Sequence, residues 1–170
     1  CDKIIPGMLM AAAALDLPCL FLAAGAMLPY RTSEQDYVTC DLKEAIGAAY
    51  ADGGESREFA EKRLNICYSA GTCSMYGTAN TMGCFTEAIG IAPWGSTLLP
   101  FCSGEKMRQA RTVGERIVEL VREKKSFSVI VTRDACMNGI KFVSATGGST
   151  NFVLHIMAFT QTMGMHFDLD

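Results

Sequence analysis

The sequence predicts one helix-rich, layered α/β domain with a small, mostly parallel sheet. Its 170 residues suffice for one domain with a sizeable core, and the 49% hydrophobic and 19% charged content is typical of a globular protein and excludes a disordered one. A short apolar run between Pro18 and Gly25 predicts a buried strand. A long amphipathic segment beginning at Gly104 predicts a helix with one face on the core.

The first half of the chain is divided by proline and glycine. Pro6-Gly7 precedes a run of apolar helix formers, which predicts a helix buried on every side and ended by Leu17-Pro18. The next apolar run fits a central strand covered on both faces. The predicted elements are a helix over 8–15, a strand over 19–24, a helix over 39–51 that stops at Gly53-Gly54, and a helix over 57–66 capped by Ser56.

The second half begins with a small, polar segment over 67–83, whose serines, threonines and glycines predict a loop that holds a ligand or simply turns. Beyond it, spacings of three and four residues between apolar side chains indicate helices. The predicted elements are a helix over 104–124, a strand over 128–131, a helix over 132–145 and a nearly all-apolar helix over 151–163.

Charge and hydropathy exclude several classes of partner. The net charge is −3 and the basic residues are scattered, so we expect no binding of nucleic acid or of an anionic membrane. The most apolar stretch, 8–29, is interrupted by Asp16 and Pro18, which argues against a membrane span and a signal peptide. Eight cysteines without the spacing of a disulfide framework indicate reduced thiols in a cytoplasmic compartment.

The triplet Cys1-Asp2-Lys3 places a thiol, a carboxylate and an amine on consecutive residues before a Pro-Gly turn. Thiolates suit iron–sulfur clusters and carboxylates suit Mg²⁺, so the triplet fits a position between two different metals. By spacing alone, such a triplet is far more often an ordinary terminal loop than a metal site. The pattern is therefore a hypothesis that needs further support.

Two other segments contain candidate functional residues. Glycines at 71 and 77 allow backbone amides around Cys73 to point at a sulfur-rich or anionic group. Ser149 and Thr150 follow two glycines and precede a helix, which fits either an anion site or a helix cap. The histidines, including His155 within an apolar helix, are predicted to be structural.

Five blocks of the sequence are notable together: 1–13 (CDKIIPGMLMAAA), 71–73 (GTC), 78–82 (TANTM), 86–90 (TEAIG) and 147–155 (GGSTNFVLH). In this order and spacing they resemble the dihydroxy-acid dehydratase and phosphogluconate dehydratase family. The resemblance covers only the middle of the family's N-terminal domain. It implies that residues 1–170 are a single, partial N-terminal domain that binds iron–sulfur and Mg²⁺ in a larger two-domain enzyme.

The resemblance also implies roles for individual residues. Cys1 and Cys73 match two of three cysteines that hold an iron–sulfur cluster, either 2Fe-2S or 4Fe-4S. Asp2 matches a Mg²⁺ ligand, and Lys3 matches a lysine that becomes a second ligand when carbamylated. Apart from the resemblance, the hydroxyls before the last predicted helix make Ser149 and Thr150 the candidate substrate-binding residues. One departure from the family's pattern is that the glycine at 77 lies two places later than is common in relatives. Sugar-acid dehydratases of the same family have a similar Met-Gly-Thr-Ala stretch, so both substrate classes stay open.

The function that the resemblance implies is that of a cytoplasmic, homo-oligomeric hydro-lyase, which converts a small 2,3-dihydroxy carboxylate into a 2-keto acid. The substrate is a branched-chain dihydroxy acid, as in branched-chain amino acid biosynthesis, or a sugar acid. The catalytic base, a serine in the family, belongs to the C-terminal domain, so the chain contains no catalytic residue and the isolated fragment is expected to be inactive. The alternatives are an inactive structural fragment, lacking the third cluster cysteine and that base, and a small thiol-based metal or redox protein.

Overall fold

The computed structural model describes residues 2–53 and 57–167. This part of the chain is mainly helical, with one small sheet, which confirms the helix-rich class. Its elements are α1 (Ile4–Leu15), β1 (Tyr30–Arg31), β2 (Asp36–Tyr37), α2 (Thr39–Ala51), α3 (Arg57–Leu64), α4 (Thr78–Ala88), α5 (Gly104–Arg122), α6 (Phe127–Ile130), α7 (Arg133–Thr146) and α8 (Asn151–Thr162). The cap predicted at Ser56 and the metal ligand predicted at Cys1 lie outside the described residues.

The hydrophobic core forms around α4, which packs against α1, α7 and α8. Phe85 of α4 is fully buried, and its ring lies 5.2 Å from that of Phe152 and 6.2 Å from that of Phe159, both on α8. These edge-to-face pairs stabilise the core beyond the burial of their area. Because α4 is buried on nearly every side, the position of its first turn is fixed by the core.

Two of the helices predicted from the sequence, α5 and α7, begin at a residue whose side chain satisfies one of their first amides. The Ser103 hydroxyl accepts a hydrogen bond from the Lys106 amide at 3.1 Å, and the Thr132 hydroxyl accepts one from the Ala135 amide at 3.2 Å. Such caps replace water at amides that have no partner within the helix. The observed bounds confirm the predictions of α2, α5, α7 and α8 to within two residues at each end.

The strand predicted over 19–24 is not formed. The segment has no regular secondary structure, and its hydrogen bonds go to scattered groups instead of a neighbouring strand: the Phe21 amide donates to the Ile91 carbonyl at 2.7 Å, and Lys106 Nζ donates to the Ala23 carbonyl at 2.8 Å. In the described residues, parallel pairing is limited to an isolated bridge between Ala26 and Thr72, and the only ladder joins β1 and β2 antiparallel.

Two further sequence predictions are corrected. The strand predicted over 128–131 is replaced by the short helix α6, which buries Phe127 completely, because four apolar residues fit a helical turn as well as a strand. The loop predicted over 67–83 ends earlier, since α4 begins at Thr78. Its polar residues Asn80 and Thr81 are buried in the helix instead of exposed in a loop.

Helix α1 is less buried than its composition predicts. Only Pro6, Leu9 and Ala12 are buried, whereas Ile4 and Leu15 are 64% and 67% exposed. The exposed face borders an apolar cavity of about 340 Å³ between α1 and the segment 19–24. Within the described ranges, every helix is either too short or too polar to cross a bilayer.

Two mid-helix glycines differ in what surrounds them. A Cβ atom at Gly139 of α7 would lie 2.4 Å from the Phe85 ring, whereas one at Gly114 of α5 would meet nothing within 4 Å. Gly139 therefore allows α7 to approach α4 closely.

We expect Gly139→Ala to lower the free energy of unfolding by about 1–3 kcal/mol, because the core has no space for a further methyl group. The matched change Gly114→Ala is expected to be neutral or to stabilise by up to about 1 kcal/mol, since it only raises helix propensity. Urea unfolding followed by circular dichroism measures both values. Equal midpoints for the two variants would contradict the close packing of α7 on α4.

Candidate functional site

Three helices begin beside one group of polar side chains, which we call the helix-start cluster: Asp2, Lys3, Thr78, Ser149 and Asn151. Lys3 precedes α1, Thr78 is the first residue of α4, and Asn151 is the first residue of α8. The free amides and the dipole at a helix N-terminus favour negatively charged groups. The core packing of α1, α4 and α8 thus brings three such ends to one side of the domain.

The Thr78 hydroxyl connects the members of the helix-start cluster. Its oxygen lies 2.9 Å from the Ser149 hydroxyl and accepts a hydrogen bond from Asn151 Nδ2 at 3.0 Å. A hydrogen bond with the Thr78 side chain is also the main cause of a lowered pKa at Asp2. Asp2 is therefore ionised at neutral pH and is held by the helix whose first turn is the most deeply packed.

Asp2 and Lys3 provide a carboxylate and an amine at the surface. Lys3 Nζ lies 3.5 Å from Asp2 Oδ2, and the two side chains are 85% and 44% exposed, respectively. An ionised, accessible carboxylate fits a hard cation such as Mg²⁺. The unmodified ammonium of Lys3 repels a cation, whereas its carbamylated form would bring a second anionic oxygen to the same place.

The described side chains form no complete metal site. No group of three or more histidine, cysteine, aspartate or glutamate side chains lies close enough to hold a metal ion within 2–53 and 57–167. A metal ion at Asp2 would therefore need ligands from outside these ranges.

Cys73 lies in a tightly anchored loop on the N-terminal side of α4. Its thiol is free and half-buried. The Asn80 side chain donates to the Cys73 carbonyl at 2.8 Å, and the preceding glycine, Gly71, has a φ of 130°. A Cβ atom at Gly71 would lie 2.5 Å from the Met27 amide, so only glycine permits this approach of the loop to the chain at 25–27.

Ser149 and Thr150 differ in their surroundings. The Ser149 hydroxyl belongs to the helix-start cluster and also accepts a hydrogen bond from the Asn151 amide at 3.3 Å, as a helix cap does. Thr150 precedes α8 without a capping side-chain bond and is exposed. The geometry therefore favours Ser149 over Thr150 as a contact for a ligand at the cluster.

Sequence patterns gave no role to several residues that the structure brings to this region. Thr78 and Asn151 are in direct contact, and His155 lies near enough to Asp2 to contribute to its lowered pKa. The Nε2 atom of His155 is buried and has no hydrogen-bond partner among the described residues. The available signal was a polar residue at the start of a core helix, Thr78 in α4 and Asn151 in α8. For Thr78 this signal was missed because the sequence predicted a loop over 67–83.

Comparisons with known proteins cover the whole chain. Residues 1–170 match the family model described as dihydroxy-acid/6-phosphogluconate dehydratase N-terminal. The chain is 42% identical over 173 residues to the dihydroxy-acid dehydratase of Caldanaerobacter subterraneus subsp. tengcongensis, and 43% identical over 171 residues to that of Thermodesulfovibrio yellowstonii. Each alignment includes 100% of this chain but 31% of the relative, so the chain spans about a third of the length of these proteins.

Proposed function

Because the chain belongs to the dihydroxy-acid/6-phosphogluconate dehydratase family, we propose that it is the metal-binding N-terminal part of a hydro-lyase. The enzyme removes water from a 2,3-dihydroxy carboxylate and releases a 2-keto acid. The observation that supports this most directly is the helix-start cluster, where an ionised Asp2 lies beside three helix N-termini. Such a place suits both a hard cation and a carboxylate substrate.

In this proposal Mg²⁺ is held by Asp2 and by carbamylated Lys3, with further ligands from outside residues 1–170. Lys3 suits the modification because its amine is accessible and 3.5 Å from the carboxylate. The iron–sulfur cluster is held by Cys1, Cys73 and a third cysteine beyond this chain. When bound, the two groups supply Lewis acids that orient the substrate and polarise its leaving hydroxyl.

The chain's own side chains perform the binding steps. The Thr78 hydroxyl hydrogen-bonds the Asp2 carboxylate and lowers its pKa, which favours the charged form. The Ser149 hydroxyl lies 2.9 Å from that of Thr78, and it would donate to an oxygen of the bound acid by exchanging that hydrogen bond for one to the substrate. The N-termini of α4 and α8 favour the substrate's negative charge at this place.

The elimination balances without an oxidant or a reductant. A base from outside this chain removes the proton at carbon 2, the bond between carbon 3 and its hydroxyl breaks, and the hydroxyl takes up a proton and leaves as water, so the net proton count is unchanged. The resulting enol gains a proton at carbon 3, loses the proton of its own hydroxyl and becomes the 2-keto acid. Since the base belongs to the remaining part of the polypeptide, residues 1–170 alone are expected to form no product.

The substrate class includes branched-chain dihydroxy acids and sugar acids. The name shared by the similar proteins, dihydroxy-acid dehydratase, favours the first. We further propose a homo-oligomeric enzyme of the cytoplasm, in which the exposed apolar side of α1 is covered by other parts of the protein.

We expect the full-length protein, which carries residues 1–170 within the family's length, to convert 2,3-dihydroxy-3-methylbutanoate into a 2-keto acid. The reason is that the polar groups of the helix-start cluster can form hydrogen bonds with a carboxylate and with the hydroxyls next to it. Anaerobic incubation with Mg²⁺, followed by chromatography of the keto acid, measures the rate, and gluconate serves as the sugar-acid competitor. Failure to form a keto acid from either compound would contradict the proposal and favour an inactive structural module.

A further inference from the structure

Asn80, in the first turn of α4, uses its whole side-chain amide to hold the loop before the helix. It is 4% exposed. Its Nδ2 donates to the Cys73 carbonyl at 2.8 Å and to the Met75 carbonyl at 2.6 Å, while its Oδ1 accepts from the Thr72 hydroxyl at 2.7 Å. One buried side chain thus binds the residue before Cys73, Cys73 itself and a residue after it.

The two neighbours of Cys73 are anchored from the other side as well. The Thr72 amide donates to the Gly25 carbonyl at 2.8 Å, and the Thr72 carbonyl accepts from the Met27 amide at 2.8 Å. The Ser74 hydroxyl accepts from the Thr39 amide at 3.1 Å, and the Ser74 amide donates to the Thr39 hydroxyl at 3.2 Å. Cys73 therefore lies between two residues that are held by hydrogen bonds, and Asn80 connects this loop to α4.

We infer that Asn80 is the positioning residue for Cys73, setting the place of its sulfur before a metal is bound. The inference rests on the proposed function, in which Cys73 holds the iron–sulfur cluster. Hydrogen bonds around a metal ligand hold it in the orientation that binding requires before the metal arrives. An amide is needed here because two carbonyls require donors and one hydroxyl requires an acceptor, which neither aspartate nor leucine can provide.

The isosteric change Asn80→Asp tests this in the full-length protein without its cluster. Aspartate turns both donated bonds into contacts between oxygens, so the loop is expected to open locally and alkylation of Cys73 by iodoacetamide to become about tenfold faster. Peptide mass spectrometry measures each cysteine separately. Cys84 and Cys136 report on folding, because both are buried and burial raises the pKa of Cys136 to about 11.

Two controls separate positioning from loss of structure. Asn65→Asp removes a comparable donor, since Asn65 Nδ2 donates to the Glu61 carbonyl at 2.9 Å on the surface, and it is expected to leave Cys73 unchanged. Thr72→Val removes the hydroxyl that Asn80 Oδ1 accepts from, whereas Thr72→Ser keeps it. We expect faster alkylation of Cys73 in the valine variant and the wild-type rate in the serine variant.

If the alkylation rate of Cys73 is unchanged in Asn80→Asp, the inference is overturned. It is also overturned if Asn80→Asp and Thr72→Val both accelerate alkylation of Cys84 and Cys136 as much as that of Cys73, because the fold as a whole would then have opened. The ligand role is tested apart, by the iron content of Cys73→Ala. A variant that keeps its cluster would refute the proposed role of Cys73 while leaving the alkylation result intact. In the loaded enzyme, Asn80→Asp is expected to shift the electron paramagnetic resonance signal of the reduced cluster, and an unshifted signal also counts against positioning.

Discussion

Replacing Cys73 by alanine in the full-length protein is expected to abolish dehydration, with a loss of at least about a thousandfold in kcat. The thiolate is the proposed ligand that this chain contributes from the loop before α4, and alanine leaves the iron without it. The rate of keto-acid formation measures the loss.

The matched control is Cys102→Ala. Cys102 is a free, exposed cysteine in the turn before α5, and the substitution removes the same atoms. It is expected to leave the rate within about twofold of the wild type, since surface substitutions rarely disturb a fold. If both variants lost activity equally, general thiol chemistry would explain the loss, and Cys73 would have no special role.

Replacing Asp2 by asparagine is expected to weaken Mn²⁺ binding, used as a paramagnetic substitute for Mg²⁺, by at least about a hundredfold. Asparagine keeps the size of the side chain but removes the charge that the Thr78 hydroxyl stabilises and that attracts the cation. Electron paramagnetic resonance of the unbound Mn²⁺, titrated into the full-length protein, measures the affinity. Keto-acid formation is expected to fall in parallel.

Asp52→Asn is the matched control for Asp2. Asp52 is an exposed carboxylate at the end of α2, so the same change of charge occurs outside the helix-start cluster. Its Mn²⁺ affinity is expected to equal that of the wild type. Equal affinity of the two variants would mean that Asp2 is not a ligand and that the cation binds elsewhere.

Periodicity predicted the amphipathic and capped helices well, and it failed where burial is uniform. Helix α4 is buried from Ala79 to Glu87, so it shows no apolar stripe, and its small polar residues resemble a loop. The Thr81 and Thr86 side chains are fully buried there, and the Thr86 hydroxyl donates to the Gly83 carbonyl at 2.6 Å. A pattern of residue types does not reveal such internal partners.

The prediction of a strand over 19–24 was wrong for a different reason. The segment's composition fits a central strand, but a strand needs neighbours, and in the described residues its carbonyls and amides are taken by single groups such as Lys106 Nζ. Burial lowers the pKa of this lysine, whose ammonium donates to the carbonyls of both Ala23 and Ser96. A tertiary contact across 83 residues thus replaces a ladder, and local sequence carries no sign of it.

The residues of the candidate site could be predicted only where the side chain itself is charged or reactive. The carboxylate and amine of Asp2 and Lys3 stand out in any sequence, and so does the cysteine at 73. Thr78 and Asn151 gain importance only because packing of α4 against α8 brings their side chains to 3.0 Å. Asn80 likewise acts through carbonyls at 73 and 75, which are invisible to a search for reactive side chains.

The most direct measurement is the visible spectrum and iron content of the anaerobically purified full-length protein, compared with its Cys73→Ala variant. We expect the wild type to be brown, with absorbance at about 400 nm and bound iron and sulfide, and the variant to be colourless. A colourless, iron-free wild type that still forms the keto acid at full rate would contradict the cluster-dependent mechanism proposed for this chain.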